Sequence, residues 1–331
     1  MTITEAPTEK RPARRRIVLS VFLWLLLTPG AIWFLGRAFG LERGMLIMLF
    51  AGTPYVAAWT LIPFLLALAA RRWAAAAVAG LVALGMAVCV LPRAVPDFDK
   101  GPSEGVELRV LTANLLFSDA DPNQIVQMVR DNDVAVLAVQ EFTPRGEAAL
   151  KAAGIDELLP HQQLAPEYGA SGSGLYSRYP MLDQASRRNA GGFQQAFATI
   201  QPPGAAPVYL ESVHPLAPAH PTMFAGWSTD IREQLPADEN STPRILLGDF
   251  NATLDHKVLR ELIATGYRDA ADTVGKGLVP SWPSRGGSNG LVTIDHVLVD
   301  ERIGVRDVEV HDVTESDHRA VFASLTIPAA S

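Results

Sequence analysis

The chain changes its hydrophobic rhythm once, near Pro96. Before that point three apolar runs, residues 17–36, 45–70 and 73–91, are broken only by short stretches carrying Arg37, Glu42 and Arg43, then Arg71 and Arg72. About 20 apolar residues suffice to cross a bilayer core, so each run predicts a transmembrane helix. Pro54 and Pro63 predict tilt and kinking in the second. A cleaved signal peptide would account for the first run alone, and no Ala-x-Ala site closes it. After Pro96 the periods become those of a globular domain. Residues 108–113 alternate like a strand and deliver Asn114. Asp121 and Pro122 supply a cap and a first-turn proline for a helix whose buried stripe is Ile125, Val126, Met128 and Val129. Residues 134–139 form a continuous apolar strand ending at Gln140 and Glu141, residues 208–213 end at His214, and an apolar strand runs from Pro243 into Asp249. Further helices are predicted within 223–235 and 256–265, and further strands at 293–299 and 320–327.

Strands and helices alternate without the regular spacing of a doubly wound parallel sheet. The pattern therefore predicts an α/β domain of two mixed sheets packed face to face with helices outside. The expected organisation is a basic tail at 1–16, three transmembrane helices over 17–91, a linker at 92–105 and the globular domain at 106–328.

Charge follows the same division. Residues 1–96 carry 10 Lys and Arg against 3 Asp and Glu, and the remainder 18 against 32, so a basic anchor precedes an acidic domain. Short basic flanks face the cytoplasm. Lys10, Arg11, Arg14, Arg15 and Arg16 thus place the N-terminus inside, Arg71 and Arg72 fall on the same side, and the domain is expected outside; Arg37 and Arg43 run against the rule. An acidic domain grips long polyanions poorly, because their affinity comes mainly from phosphate neutralisation. Nucleic acid is accordingly not an expected partner, and no obligate protein partner is evident. The single cysteine, Cys89, lies in the third run and leaves no intramolecular disulfide.

The strand ends carry the chemistry. Side chains there are rigidly held yet reach solvent. Carboxylates and amides from separated strands suit a hard cation such as Mg²⁺, which prefers oxygen ligands. Glu141 is the expected primary ligand, supported by Asn114 and Asp317. Asp249 and Asn251 lie two apart and share a face in an extended stretch. One of them can take a proton from water while the other holds that water or a phosphate oxygen; an Asx turn closing the strand is the plainer use of Asp-Phe-Asn. His318 is expected to donate to a phosphate oxygen with Asp295 fixing its tautomer, and His214 is a second donor. His161, His220, His256 and His311 are read as structural, with His296 the closest decision. Arg187 and Arg188 are read as solvated loop residues.

Thr112-Ala-Asn114, Gln140-Glu141, Ser212-Val-His214, Gly248-Asp-Phe-Asn251, Thr293-Ile-Asp295 and Ser316-Asp-His318 occur in the order seen in the endonuclease/exonuclease/phosphatase superfamily. The resemblance spans roughly residues 106–327. It implies a four-layer α-β-β-α sandwich, Mg²⁺ or Mn²⁺, and water attack on a phosphoester or phosphoanhydride. By position it implies Glu141 as metal ligand with Asn114 and Asp317 beside it, Asp249 and Asn251 aligning the nucleophile, and Asp295 paired with His318. His296 stands where many nucleic-acid members have Tyr. The N-terminal spans resemble a narrower group, the teicoplanin-resistance (VanJ-like) membrane proteins of actinomycetes. That likeness implies a multi-pass membrane protein with an extracytoplasmic active site, acting on a lipid-linked phosphate such as undecaprenyl pyrophosphate. A membrane-tethered extracellular nuclease or general phosphodiesterase is the alternative, and a non-catalytic scaffold a third reading.

The orientation is directly testable. A reporter fused after Ser331 should be active only when it reads the extracytoplasmic side; activity confined to the cytoplasm would reverse the topology.

Overall fold

A computed structural model describes residues 11–284 and 290–330. Lys10 and the rest of the first ten positions of the basic tail lie outside them. The described chain forms two units, one made of residues 1–41 and 52–91, the other of Glu42–Ala51 and Pro92–Ser331.

Two helices are long and apolar enough to cross a membrane, Arg14–Ala38 and Trp73–Ala94, with mean hydropathies of 2.1 and 2.5; the first unit holds the former and the latter up to Leu91. The expected second span differs. Residues 45–70 are split into a short helix, Leu46–Phe50, and a 17-residue helix, Thr53–Ala69, that contains Pro63. At ~1.5 Å per residue, 17 residues rise about 26 Å, the lower limit for crossing a ~30 Å hydrocarbon core. The physical reason is that Glu42–Ala51 is spent elsewhere, in the second unit. Small residues bring the helices close: a Cβ at Gly85 would lie 2.6 Å from the Phe34 ring. Arg72 donates to the Arg16 carbonyl at 2.9 Å, which puts these two basic positions at one end.

In the second unit, alternation builds the strands. They are β1 (Val106–Asn114), β2 (Val136–Gln140), β3 (His161–Ala165), β4 (Ser173–Ser177), β5 (Met181–Arg188), β6 (Gln194–Ile200), β7 (Val208–Val213), β8 (Arg244–Asp249), β9 (Tyr267–Asp269), β10 (Asp295–Asp300), β11 (Gly304–Asp312) and β12 (Arg319–Ile327). Two sheets result, ordered β11-β12-β1-β2-β4-β3 and β5-β6-β7-β8-β10-β9. Both are mixed, with β1–β2 and β7–β8 parallel and the other pairs antiparallel. Leu108 and Val110 of the first sheet meet Ile245 and Leu247 of the second in one core between the sheets. The opposite faces are covered by helices. Leu111 and Leu137 pack on Ile125 and Val129 of the helix Pro122–Asp131, while Leu246 and Leu298 pack on Trp227, Ile231 and Leu259. Asp121 caps Pro122–Asp131 by accepting from the Asn123 amide.

The Glu42–Ala51 segment completes this unit. Ile47 is buried among Trp227, Phe250 and Val258. Its carbonyl accepts from His256 Nε2 at 2.7 Å, while His256 Nδ1 accepts from the Thr253 amide at 2.8 Å. Those two bonds fix the neutral Nε2–H tautomer, and burial depresses the ring's pKa to match. The Glu42 carboxylate accepts from the Lys257 amide. Residues 92–105, expected as a linker, are likewise tied down. Arg93 makes a two-pronged buried pair with Asp255 at 2.6 and 2.9 Å, and the Asp97 amide donates to the Thr273 carbonyl at 2.9 Å. Three consecutive residues, 255–257, thus each hold a segment that flanks an apolar helix.

Removing one member of a buried ion pair leaves the other charge uncompensated, so Arg93→Ala should cost about 3–5 kcal/mol. Ile47→Ala should cost about 2–4 kcal/mol by leaving a cavity. Denaturant unfolding of the full chain in detergent, followed by tryptophan fluorescence, measures both; losses under ~0.5 kcal/mol, the size of an ordinary surface change, would show that these segments do not belong to the folded unit.

Candidate active site

Parity places the polar residues. In β1, β2, β7, β8 and β10 the side chains of Leu108 and Val110, Val136 and Ala138, Leu210, Ile245 and Leu247, and Val297 and Val299 all enter the inter-sheet core. Stepping along each strand by two leads on the same face to Asn114, Gln140, His214, Asp249 and Asp295. Each of these is at most 3% exposed. Register brings them level: Asn114 is opposite Gln140, and Asp249 is opposite Asp295. Gly248 permits the approach, since a Cβ there would lie 2.0 Å from the Val213 carbonyl oxygen.

Two carboxylates directly opposite on neighbouring strands repel. His318 answers that repulsion. Its Nδ1 lies 3.0 Å from Asp295 Oδ2, and its Nε2 lies 3.7 Å from Asp249 Oδ2 and 4.0 Å from Asp317 Oδ1. Burial, the largest influence, favours the neutral ring, but Asp295 and Asp249 together outweigh it and push the pKa up to about 10. His318 is therefore an imidazolium with one N–H given to Asp295. Its second N–H points at no carboxylate within hydrogen-bond reach. Burial raises the Asp249 pKa, with His318 opposing and Asp295 adding to the rise. His214 behaves oppositely. Its burial lowers the pKa to about 4, so it is neutral at pH 7, with Nε2 3.6 Å from Asp249 Oδ2 and the Phe193 ring edge-on at 4.8 Å.

Glu141 follows β2 in a left-handed conformation, φ 52°. Its Oε1 accepts from Asn114 Nδ2 at 3.2 Å and its Oε2 from the Phe117 amide at 3.0 Å. The same Asn114 nitrogen reaches Asp249 Oδ2 at 3.1 Å, and Asn114 Oδ1 accepts from the Leu116 amide at 3.0 Å. Asn114 therefore spaces the Glu141 and Asp249 carboxylates, with its oxygen engaged by the backbone. Burial raises the Glu141 pKa, Asn114 opposes it, and Asp249 adds to the rise. The Ser316 hydroxyl donates to the Asn114 carbonyl at 2.9 Å and fixes the segment bearing Asp317 and His318 against the end of β1. Asn251, φ 50°, donates its amide to Asp249 Oδ1 at 2.8 Å and its side-chain nitrogen to the Pro215 carbonyl at 3.1 Å. The Asx turn is thus real, and it ties the end of β8 to the segment after β7.

A divalent cation suits this donor set. Glu141, Asp249, Asp295 and Asp317 oppose one imidazolium, and Asp317 Oδ1 is buried with no hydrogen-bond partner. Ligand atoms of Asp249, Asp295 and His318 also lie within 4.8 Å of one another. At that position the proton on His318 already supplies the positive charge, so Glu141 and Asp317 are the better ligands.

Several residues have roles that the motif reading did not assign. Gln140 Nε2 donates to Ser212 Oγ across the sheets at 2.9 Å, and Thr112 Oγ1 donates to Gln140 Oε1 at 3.2 Å. Asp230 accepts from the Gly191 and Leu216 amides, and Asn189 donates to the His214 carbonyl. Motif and parity together mark Gln140 and Ser212; Asp230 and Asn189 left no local signal. His296 has the opposite parity to Asp295. It binds Asp269 at 2.6 Å and the Ala252 carbonyl at 2.9 Å, behind the site. Arg187 corrects the loop reading: it lies in β5 and pairs with fully buried Glu211 at 2.7 Å. Arg188 is also in β5 and pairs with Glu167.

The Endonuclease/Exonuclease/phosphatase family matches residues 111–318. No curated relative matches the chain. Among solved structures, an endonuclease/exonuclease/phosphatase from Beutenbergia cavernae is similar at 18% identity, covering 67% of this chain and 72% of that one, with a TM-score of 0.52. TDP2 from D. rerio, complexed with single strand DNA product, is similar at 15% identity over 66% and 99% with a TM-score of 0.53. A mannosyl-6-phosphatase from Bacteroides thetaiotaomicron is similar at 16% identity over 66% and 100% with a TM-score of 0.50. Identities this low establish a shared fold.

The imidazolium makes a pH prediction. The folded pKa of about 10 exceeds the ordinary value of 6.5, so the folded state binds the extra proton between them. The stabilisation is full below pH 6.5 and fades as pH rises through about 10. Unfolding of chelator-treated protein across that window should show stability falling with pH, and more steeply than in His318→Ala; equal slopes would show that the ring is not charged.

Proposed function

Because the chain belongs to the Endonuclease/Exonuclease/phosphatase family, and is thereby a metal-dependent hydrolase of phosphoester bonds, we propose that it cleaves a lipid-linked phosphate at the outer face of the cell membrane, with undecaprenyl pyrophosphate the leading candidate. The observation that carries the hydrolytic part is the second N–H of His318, lodged between Asp249 and Asp317 without an acceptor in reach. A phosphoryl oxygen seated there would accept it. Asp295 holds the ring in place for that donation and stabilises its charge. Asp249, whose pKa burial raises, takes the proton of the attacking water. Asn251 keeps that carboxylate's other oxygen aligned through its amide. His214, neutral and beside Asp249, is the second donor to the phosphate. Mg²⁺ or Mn²⁺, held by Glu141 and Asp317 with Asn114 positioning Glu141, would neutralise charge on the phosphate when bound.

The lipid part rests on different support. Two helices have the length and apolar composition of membrane spans, and the shorter apolar helix Thr53–Ala69 crosses as the third in this reading. The stretch between the first and second apolar helices, Glu42–Ala51, is part of the same compact unit as the hydrolase domain, which supports putting both on one side of the membrane. Arg16 and Arg72 share one end of the helical unit, consistent with a cytoplasmic basic side. The catalytic domain is then extracytoplasmic, where recycling of a cell-wall lipid carrier would connect it to glycopeptide (teicoplanin) resistance. The acidic balance of 18 Lys and Arg against 32 Asp and Glu after residue 96 weighs against a nuclease.

Purified protein in detergent should release phosphate from a prenyl pyrophosphate with Mg²⁺ and lose that activity to a chelator. Degradation of plasmid DNA with no lipid phosphate released would establish the tethered nuclease instead. Glu141→Gln, Asp249→Asn and His318→Ala should each slow turnover ~10²–10³-fold, while His161→Ala and His311→Ala stay near wild type; near-normal turnover in the first three would place the chemistry elsewhere.

A further inference from the structure

Beside Glu141 the backbone does something costly. Leu116, Phe117 and Ser118 have φ of 46°, 53° and 64°, three left-handed residues in succession with no glycine among them. Ser118 has a local reason, since its buried hydroxyl accepts from the Thr143 amide and donates to the Glu141 carbonyl. The Phe117 backbone has one too, its amide on Glu141. The Phe117 side chain has none. An Asn or Gly at that position would supply the same N–H without the strain, yet the chain places an aromatic ring there and leaves it 46% exposed.

A second apolar feature flanks the site on the Asp317 side. Trp282 Nε1 donates to Asp317 Oδ2 at 3.2 Å, and its ring lies 6.4 Å from that of His318 while remaining 37% exposed. Leu291, 58% exposed, pairs with it through an amide donated to the Trp282 carbonyl at 2.9 Å. The two flanks are joined beneath by Asn114, which binds Glu141 through its side chain and Ser316 through its carbonyl. The anionic cluster thus has exposed apolar residues in the segments at both of its flanks. Such an arrangement fits a molecule that is ionic at one end and hydrocarbon at the other.

We propose that Phe117, Trp282 and Leu291 receive the hydrocarbon of a substrate whose phosphate rests at the polar cluster, so that the enzyme selects phosphates carried on an extended alkyl or prenyl chain. This rests on the phosphohydrolase reading of the same site. Stacked bases of a single strand are the competing occupant of exposed aromatics. The aliphatic Leu291 offers no stacking face, and Arg145, which donates to the Phe117 carbonyl, is already engaged by Asp119.

The test uses the full chain in detergent with Mg²⁺ and two esters, a short-chain alkyl phosphate and a long-chain one. Wild type should prefer the long chain. Phe117→Asn and Leu291→Gln should each reduce the long-to-short ratio of kcat/KM about tenfold, the scale of losing one buried apolar side chain. Phe117→Asn should also melt no lower than wild type, because Asn tolerates the left-handed turn. An unchanged ratio in both variants overturns the proposal, as does a loss in these variants of competition by a single-stranded oligonucleotide with no effect on the chain preference. Hydrolysis of both esters by wild type with no chain preference sinks the apolar flanks and leaves the hydrolase standing. Binding of a non-hydrolysable long-chain alkylphosphonate that weakens in both variants, with neither ester hydrolysed, supports the apolar flanks and sinks the hydrolase reading of the substrate.

Discussion

Everything at the catalytic end answers one problem, the opposition of Asp249 and Asp295 across adjacent antiparallel strands in a buried place. A like-charge pair there is tolerable only beside a cation. His318 is that cation, and its role dictates the rest. Ser316 must anchor its segment, Asp295 must take one N–H, and Asn114 must hold Glu141 and Asp249 apart by lending both the same amide nitrogen. Polarity is concentrated so heavily on one cluster that the neighbouring strand ends are stitched by neutral groups instead, Thr112, Gln140 and Ser212.

Much of this was legible because strands carry their geometry in sequence. Once Leu108 and Val110 are assigned to the core, Asn114 follows by counting, and the same holds for Asp249 after Ile245 and Leu247. The two mixed sheets and their covering helices followed from period and length, and the family motifs gave the order of the site. Counting also separates Asp295 from His296, which no motif does: the first faces the cleft, the second braces the Ala252 carbonyl from behind. The unread parts have a common cause. Contacts such as Asp230 with the Gly191 and Leu216 amides, or Arg187 with Glu211, join residues whose proximity only the fold creates.

The start of the second apolar run was read as part of one continuous span for a related reason. Residues 45–70 have the composition of a membrane span, but hydropathy does not distinguish burial in lipid from burial in protein. Ile47 is apolar because it fills a space beside Trp227 and Phe250. Its carbonyl is taken by His256, a residue 209 positions away. Composition records that a side chain avoids water and says nothing about which apolar surroundings it finds.

That separation has a bearing on biogenesis. Residues 42–51 leave the ribosome long before residues 253–262 exist, so Glu42 and Ile47 wait without the partners that will hold them. The domain therefore cannot finish its core as it emerges from N- to C-terminus; it closes late, when a nascent Asp255-His256-Lys257 stretch finds two segments already delivered. A chain that failed to deliver Ile47 would leave the apolar surface of Trp227, Phe250 and Val258 open, so the segment between two apolar helices acts as a late checkpoint on domain assembly.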